Sequence, residues 1–306
     1  MATLSLVNPE RGDITVKISK FPDGQQAAQI TSDVFGKDTA IESRLNSWKD
    51  LELIVGANQA LLEAGAQSVS LYVPYFLGAR SDRKFLEGTS NYLKTVICPV
   101  INSQKFAGVI VMDPHSDVLE ACLDNFHKID NVDLVKFALE DLVETGLIPR
   151  LQEILIISPD AGALKKIYHV AESTDYKKQI IIASKHRDIE TGKILSTEVP
   201  GIDQDLGQKG FVIIDDICDG GRTFIEIAKA IRSIRSKSIF NDKIILIVTH
   251  GIFSAGFYEL GKWFDAIYCT NSIKDIPASV TEIVLFEDGI SGDSLVKTNV
   301  TQFNIF

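Results

Sequence analysis

"FVIIDDICDGGRTFIEIAKAI", residues 211–231, sets four β-favouring apolar residues ahead of two adjacent acids, then two glycines, an arginine and a stretch of helical period. A short apolar run closed by a Gly-rich turn reads as a buried strand, and the amphipathic segment after it reads as a helix. In sheets built from such units, ligands collect outside the carboxyl ends of the strands, where the next helix offers unpaired N–H groups to an anion. Asp215 and Asp216 stand at such a strand end, and Gly220, Gly221, Arg222 and Thr223 lead into the helix. Glycine lets the backbone wrap a phosphate closely, the Thr223 hydroxyl can cap the helix or meet a ligand, and carboxylates suit sugar hydroxyls or hydrated Mg2+. Taken alone, paired acids and glycines also make an ordinary N-capped turn. The ordered set behind a β-run favours a loop that holds a ribose at one end and its phosphate at the other.

The rest of the chain repeats the same unit. Apolar runs at 68–76, 108–113, 153–160, 179–184, 243–250 and 266–271 alternate with segments of helical period at 50–66, 118–126, 133–146 and 222–234. That alternation predicts an α/β protein with mainly parallel sheets flanked by helices. Two similar domains are expected, 1–143 and 144–306, divided near "ETGLIPR", where a Gly stop and a Pro precede the next strand, with the last residues returning to the first domain. "GVIVMDPHSDVLEACLDNF" and "GFVIIDDICDGGRTFIEIAKAI" share the order strand, terminal Asp, polar loop, helix, which either marks two copies of one unit or reflects the sameness of α/β units.

Composition narrows the function classes. A formal charge of −10 argues against sequence-independent binding to nucleic acid, which depends on Lys and Arg neutralising many phosphates, so a phosphorylated ligand must meet local positive charge. The start "MATLSLVNPERGD" lacks a cationic flank before an apolar block, and no apolar run approaches membrane-spanning length, so a cytoplasmic protein without a membrane partner is expected. Cys98, Cys122, Cys218 and Cys269 lie far apart with no C-x-x-C pair, which argues for reduced, buried thiols over a zinc or redox motif.

The 211–223 stretch resembles the phosphoribosyl-diphosphate loop of the phosphoribosyltransferase fold. "LYVPYFLGARSDRK", "VMDPHSD", "LIISPDAGALKK", "IIASKHRD", "FVIIDDICDGGRT" and "VTHGIFSAG" follow one another as in ribose-phosphate diphosphokinases, and the resemblance spans nearly the whole chain, weakening around 36–50, 85–108 and 281–306. It implies that the anomeric hydroxyl of a ribose phosphate attacks the β-phosphorus of ATP and AMP leaves, a reaction that asks mainly for alignment and charge stabilisation, with Mg2+ spanning phosphate oxygens.

The resemblance also assigns residues. Lys185 and Arg187 correspond to a mobile catalytic basic pair; Arg80 and Ser81 to the ATP phosphates, with Ser81 where the family usually has Gln; and His115, two residues after Asp113, to ATP phosphates and metal. Asp160 corresponds to a metal-binding aspartate, and Gly162, Ala163 and Lys166 to the diphosphate loop, in which Ala163 replaces a second Gly. Asp215, Asp216, Asp219, Gly220, Gly221, Arg222 and Thr223 form the ribose-phosphate loop. "KFPDGQQ" is similar to a hairpin that reaches a neighbouring subunit's adenine, with Phe21 stacking on the base and Asp23 and Gln25 bonding its polar edge, so a homo-oligomer with a shared adenine site is expected. Without the resemblance, F-P-D-G is a β-turn, a lone His is a structural hydrogen-bonding residue, and Lys185 and Arg187 are a solvated basic loop.

Two other classes compete: a phosphoribosyltransferase needing only the C-terminal loop, and a non-catalytic regulatory homologue. Arg80 and His115 argue against the first; the retained set of bases and acids argues against the second. The sugar is left between two choices. Family enzymes for ribose 5-phosphate usually read D-T-G-G-T or D-T-A-G-T where this chain reads Asp219, Gly220, Gly221, Arg222, Thr223. The missing Thr removes a hydroxyl donor to the 5′-phosphate and opens space, and Arg222 adds a planar cation, which would suit ADP-ribose or another 5′-extended ribose unless Arg222 points outward. Ribose 5-phosphate is the first expectation.

Overall fold

In the computed structural model the protein is described over residues 1–174, 176, 180–187, 194–202, 207, 209–236, 241–277, 282–285 and 296–306. It forms two compact units, Met1–Asp130 with Phe306, and Asn131–Ile305.

The first unit contains β1 (Ala2–Ser5), β2 (Val16–Lys20), β3 (Gln26–Ile30), β4 (Asp38–Glu42), α1 (Trp48–Glu63), β5 (Ser68–Tyr72), a π-helical turn at Leu93–Ile97 running into α2 (Cys98–Ser103), β6 (Val109–Met112), α3 (Val118–Cys122) and β7 (Phe126–Ile129). Its main sheet is parallel throughout, in the order β1-β4-β5-β6-β7. Leu4, Ile41, Leu71 and Val111 bury the sheet against Leu51, Ile54 and Leu61 of α1 and Ile101 of α2. Ser47 caps α1 reciprocally with Asp50, satisfying donors that the first turn leaves open. β2 and β3 pair as a separate antiparallel hairpin.

The second unit contains α4 (Val132–Glu144), β8 (Ile154–Ser158), α5 (Leu164–Ser173), β9 (Ile181–Ile182), β10 (Ser184–Arg187), β11 (Ile194–Glu198), β12 (Gly210–Cys218), α6 (Arg222–Arg235), β13 (Lys243–Gly251), α7 (Tyr258–Gly261), β14 (Ala266–Thr270), β15 (Glu282–Leu285) and β16 (Val296–Phe303). The sheet order is β15-β16-β14-β13-β12-β8-β9, parallel except for the antiparallel β15–β16 pair, and β10–β11 form a separate antiparallel ribbon. Successive residues of β12 point to opposite faces, as the period of a strand requires. Phe211 and Ile213 pack with Phe224, Ile227 and Ile231 of α6, whereas Val212 and Ile214 pack with Ile167 and Val170 of α5 and with α4. Helices therefore cover both faces, as the runs of buried β-branched residues predict.

The division falls between Asp130 and Asn131, ahead of the expected 143/144 boundary. The reason is α4: Leu134, Val135, Ala138 and Leu142 pack with Ile148, Ile154 and Ile156, so the helix joins the second core. The four cysteines are free, with Cys98, Cys218 and Cys269 buried. Burial pushes the Cys98 and Cys269 thiols up to about 12, which leaves them inert as nucleophiles near neutral pH. Among the described residues, no helix is long and apolar enough to cross a membrane.

Candidate functional site

The chain runs from β8 through α5 to β9 on one side of β8, while β12, β13 and β14 follow on the other. This reversal of strand order opens a crevice at the carboxyl ends of β8 and β12, the place where open α/β sheets take ligands. Pairing between the two strands ends at Ile213–Ile157, so Asp215 and Asp216 extend past β8 while β12 stays paired to β13 as far as Cys218–Gly251.

Two loops face this crevice. In the β8–α5 loop, Asp160 Oδ1 accepts hydrogen bonds from the backbone N–H of Gly162 at 3.0 Å and of Ala163 at 3.2 Å, and the Ser158 hydroxyl donates to the Asp160 carbonyl at 2.7 Å. The two amides nearest the helix start thus point at Asp160, and the loop keeps its turn with Ala163 in place of a second glycine. In the β12–α6 loop, Gly221 has φ +78°, and an added Cβ there would come within 2.7 Å of Leu260 Cδ2, so glycine is required. Gly220 is different: a Cβ there would meet nothing closer than Ser254 Oγ at 3.8 Å, which leaves room in the loop. Arg222 begins α6 exposed to solvent and Thr223 is half-buried beside it.

The acids at the head of this crevice repel one another. The N–H of Asp216 donates to Asp215 Oδ1 at 2.9 Å, and the Asp215 carboxyl holds its proton well above the usual carboxylate range, first through burial, then through the charges of Asp216 and Asp160. Lys166 offsets part of this charge: its Nζ lies 3.2 Å from Asp216 Oδ2. Asp219 turns toward the loop after β13, accepting the Ser254 hydroxyl at 2.6 Å. Lys185 and Arg187 lie on β10, where Lys185 pairs with Thr197 and a bulge falls between His186 and Arg187.

In the first unit, the loops after β5 and β6 leave neighbouring parallel strands at the same sheet edge. They are tied together by the Met112 N–H, which donates to the Pro74 carbonyl at 3.1 Å. Exposed Arg80 and half-buried Ser81 sit on the first loop, and exposed His115 on the second. Asp113, buried at the end of β6, adopts φ +40°, a strained conformation for a non-glycine residue. The β2–β3 hairpin carries Phe21, Asp23 and Gln25 at its tip. The Phe21 N–H donates to the Gln25 carbonyl at 2.8 Å, the Gln25 N–H to Asp23 Oδ1 at 3.1 Å, and Gly24 turns the chain with φ +101°. Gln26, the first residue after the turn and the partner of Lys20, ties this end of the hairpin to its own α1, its side-chain amide donating to the Lys49 carbonyl at 2.6 Å. Phe21 is 52% exposed, a large apolar residue at the hairpin's tip.

Phe21, Arg80, Ser81 and His115 therefore belong to the first unit, and Asp160, Lys166, Lys185, Arg187 and residues 215–223 to the second. Among the described residues, no group of three or more His, Cys, Asp or Glu side chains forms a metal cage. The donor chemistry still suits Mg2+, which is commonly held by one or two carboxylates together with substrate phosphates and water. Sequence reading missed the Lys166–Asp216 pair and the Ser254–Asp219 bond. Ser254 lay within a motif already singled out, but nothing in the one-dimensional pattern joined Lys166 to Asp216, 50 residues away.

A family of Phosphoribosyl transferase domains matches residues 124–258. The chain is 28% identical over 279 residues to a ribose-phosphate pyrophosphokinase of Pyrococcus abyssi, covering 90% of this chain and 88% of that protein. It is 27% identical over 299 residues to a ribose-phosphate pyrophosphokinase of Vibrio vulnificus, covering 96% and 84%. The crystal structure of phosphoribosylpyrophosphate synthetase from Mycobacterium smegmatis shares the fold with a TM-score of 0.72 at 17% identity, over 95% of this chain and 86% of that one.

Proposed function

Because the chain is a divergent member of the ribose-phosphate diphosphokinase family, we propose that it transfers the β,γ-diphosphoryl group of ATP to the anomeric hydroxyl of ribose 5-phosphate. The sugar oxygen forms a bond to the β-phosphorus, the bond from that phosphorus to the bridging α,β-oxygen breaks, and AMP departs with the bridging oxygen. The observation that carries this reading is the meeting of Asp160, Asp215, Asp216 and Lys166 with the starts of α5 and α6, where the strand order reverses. Carboxylates at that point accept the ribose hydroxyls, and the β12–α6 loop with Arg222 and Thr223 takes the 5′-phosphate. Arg80, Ser81 and His115 are assigned to the ATP phosphates, and Phe21, Asp23 and Gln25 to adenine. Mg2+ carried on ATP would neutralise phosphate charge; His115 in the first unit and Asp160 in the second are each assigned to metal binding. Lys185 and Arg187 stabilise charge that grows on the transferring group, the main demand of this chemistry. The exposed Phe21 tip supports a homo-oligomer in which the hairpin serves a neighbouring subunit's adenine, and a cytoplasmic setting belongs to the same reading.

A second sugar is favoured by one feature of the loop. Gly220 leaves space, an added Cβ meeting nothing closer than Ser254 Oγ at 3.8 Å, and the Arg222 side chain at the first turn of α6 makes no hydrogen bond or ion pair among the described residues. Space and an extra planar cation suit the 5′-diphosphate of ADP-ribose better than a monoester.

Phosphorus NMR of the protein with ATP, Mg2+ and each sugar tests both readings. A diphosphate attached at C1, together with AMP, is the expected product; ADP with a C1 monophosphate would contradict the proposed transfer. The ratio of kcat/KM values then chooses the sugar: a preference for ADP-ribose above about tenfold, ~1.4 kcal/mol of transition-state binding, replaces ribose 5-phosphate with the extended substrate. Arg222→Gly should then lower that ratio.

A further inference from the structure

The family resemblance assigns Lys166 to the diphosphate loop, and in the structure its ammonium reaches Asp216 of β12. Lys166 is the third residue of α5, and helical side chains lean toward the N-terminus, which carries Nζ back across the loop toward β12. There it meets Asp216 Oδ2 at 3.2 Å, the two side chains only 23% and 7% exposed, so water screens the pair weakly. The Asp216 N–H in turn donates to Asp215 Oδ1 at 2.9 Å, making a continuous line from α5 through Asp216 to Asp215.

The backbone explains why such a tie is needed. The ladder between β8 and β12 stops at Ile157–Ile213, so on that side the two acids have no neighbouring strand to hold them. Beneath them lies a cavity of about 10 Å³, lined by Asn131, Ala163, Lys166, Ile167, Val170, Ile214 and Asp215, with room for about one water. That space leaves the strand end incompletely packed on the α5 side, where the Lys166 ammonium reaches across to Asp216.

We propose that Lys166 is a positioning residue that acts through Asp216: it fixes the acid pair against α5 so that the ribose hydroxyls meet a preset pair of carboxyl groups. This inference rests on the proposed function, because it takes a ribose as the ligand of Asp215 and Asp216. It differs from direct contact between Lys166 and the diphosphate in which affinity it controls. A positioning lysine governs sugar binding and depends on Asp216; a diphosphate ligand governs diphosphate binding and does not.

A double-mutant cycle separates them. Calorimetry measures binding of ribose 5-phosphate and of inorganic diphosphate to the wild-type protein and to Lys166→Met, Asp216→Asn and the double variant, with Lys166→Arg as the conservative control. We expect Lys166→Met to weaken ribose 5-phosphate binding about tenfold and diphosphate binding less than about threefold, with Lys166→Arg near wild type and the double variant no worse than Asp216→Asn alone. In steady state the same loss should appear in the KM for the sugar more than in kcat. Diphosphate affinity falling at least as far as sugar affinity, and equally with Asn at 216, would overturn the proposal. Should Lys166→Met fail to fold, Lys166→Gln, which keeps a donor without the charge, takes its place in the cycle. Failure of the wild-type protein to bind ribose 5-phosphate or ADP-ribose would instead overturn the functional reading, and that result is visible before any variant is made.

Discussion

The Ser254 hydroxyl donates to Asp219 Oδ1 at 2.6 Å, and the Ser254 N–H returns to the Asp219 carbonyl at 3.2 Å. With Ser254 as donor in both, the two bonds lace the loop after β13 to the loop that opens α6, so the β12–α6 loop is held from outside as well as by its own turn. Ser254→Ala removes the side-chain half, a loss of about 1 kcal/mol. The expected outcome is a KM for the sugar phosphate raised about three- to tenfold with the KM for ATP unchanged. Steady-state kinetics with each substrate varied in turn check it, and equal rises in both constants would count against a loop-specific role.

Gly221 supplies the left-handed residue at the start of α6. Gly221→Ala combines a conformational cost of about 1–3 kcal/mol with the approach to Leu260. Thermal unfolding should show the loss of stability, and sugar binding should weaken with it. Gly220→Ala, which meets only ordinary contact at 3.8 Å, should leave stability nearly unchanged. Similar effects from both substitutions would contradict the different roles given to the two glycines.

At the opposite, amino ends of β12 and β13, Arg235 bonds Asp242 through Nε at 2.7 Å and Nη2 at 2.9 Å, and the Lys209 N–H adds a bond to the same carboxylate at 3.0 Å. Both side chains are almost wholly buried. Asp242→Ala leaves the guanidinium uncompensated and should destabilise the protein by about 3–5 kcal/mol, read from urea unfolding. Activity measured well below the transition should hardly change. A loss under about 1 kcal/mol would mean that water reaches the pair.

Phe21→Ala should raise the KM for ATP more than that for the sugar, because it removes the ring assigned to adenine and leaves the second unit untouched. Mixed and re-equilibrated with Lys185→Ala protein, it should recover part of the activity, since a hybrid oligomer can assemble an intact site. Absence of recovery would argue that the hairpin serves its own subunit.

How far the fold could be read from sequence follows from what each element buries. β12, β13 and β14 are buried on both faces, so their continuous apolar runs announced them. β7, Phe126–Ile129, did not, because at the sheet edge it carries exposed His127 and Lys128 and shows neither a run nor an alternation. The helical turns over Leu93–Ser103 fell in a stretch that departs from the family pattern, and a proline at 99 disguised them. For the site, the acids and glycines of 215–223 were legible because they are consecutive. The pairing of Lys166 with Asp216 was not, since only the packing of α5 across β12 joins them. The side chains of Lys185 and Arg187 lie outside the described residues, so their role still rests on the family resemblance.

Diphosphoryl transfer stands or falls on AMP formation. With ATP and Mg2+, AMP release should depend on added ribose 5-phosphate or ADP-ribose, match the C1-diphosphate product mole for mole, and fall by several powers of ten in Lys185→Ala protein that still binds nucleotide. AMP release that ignores both sugars, no release at all, or near-normal turnover by the Lys185→Ala protein would rule out the proposed transfer.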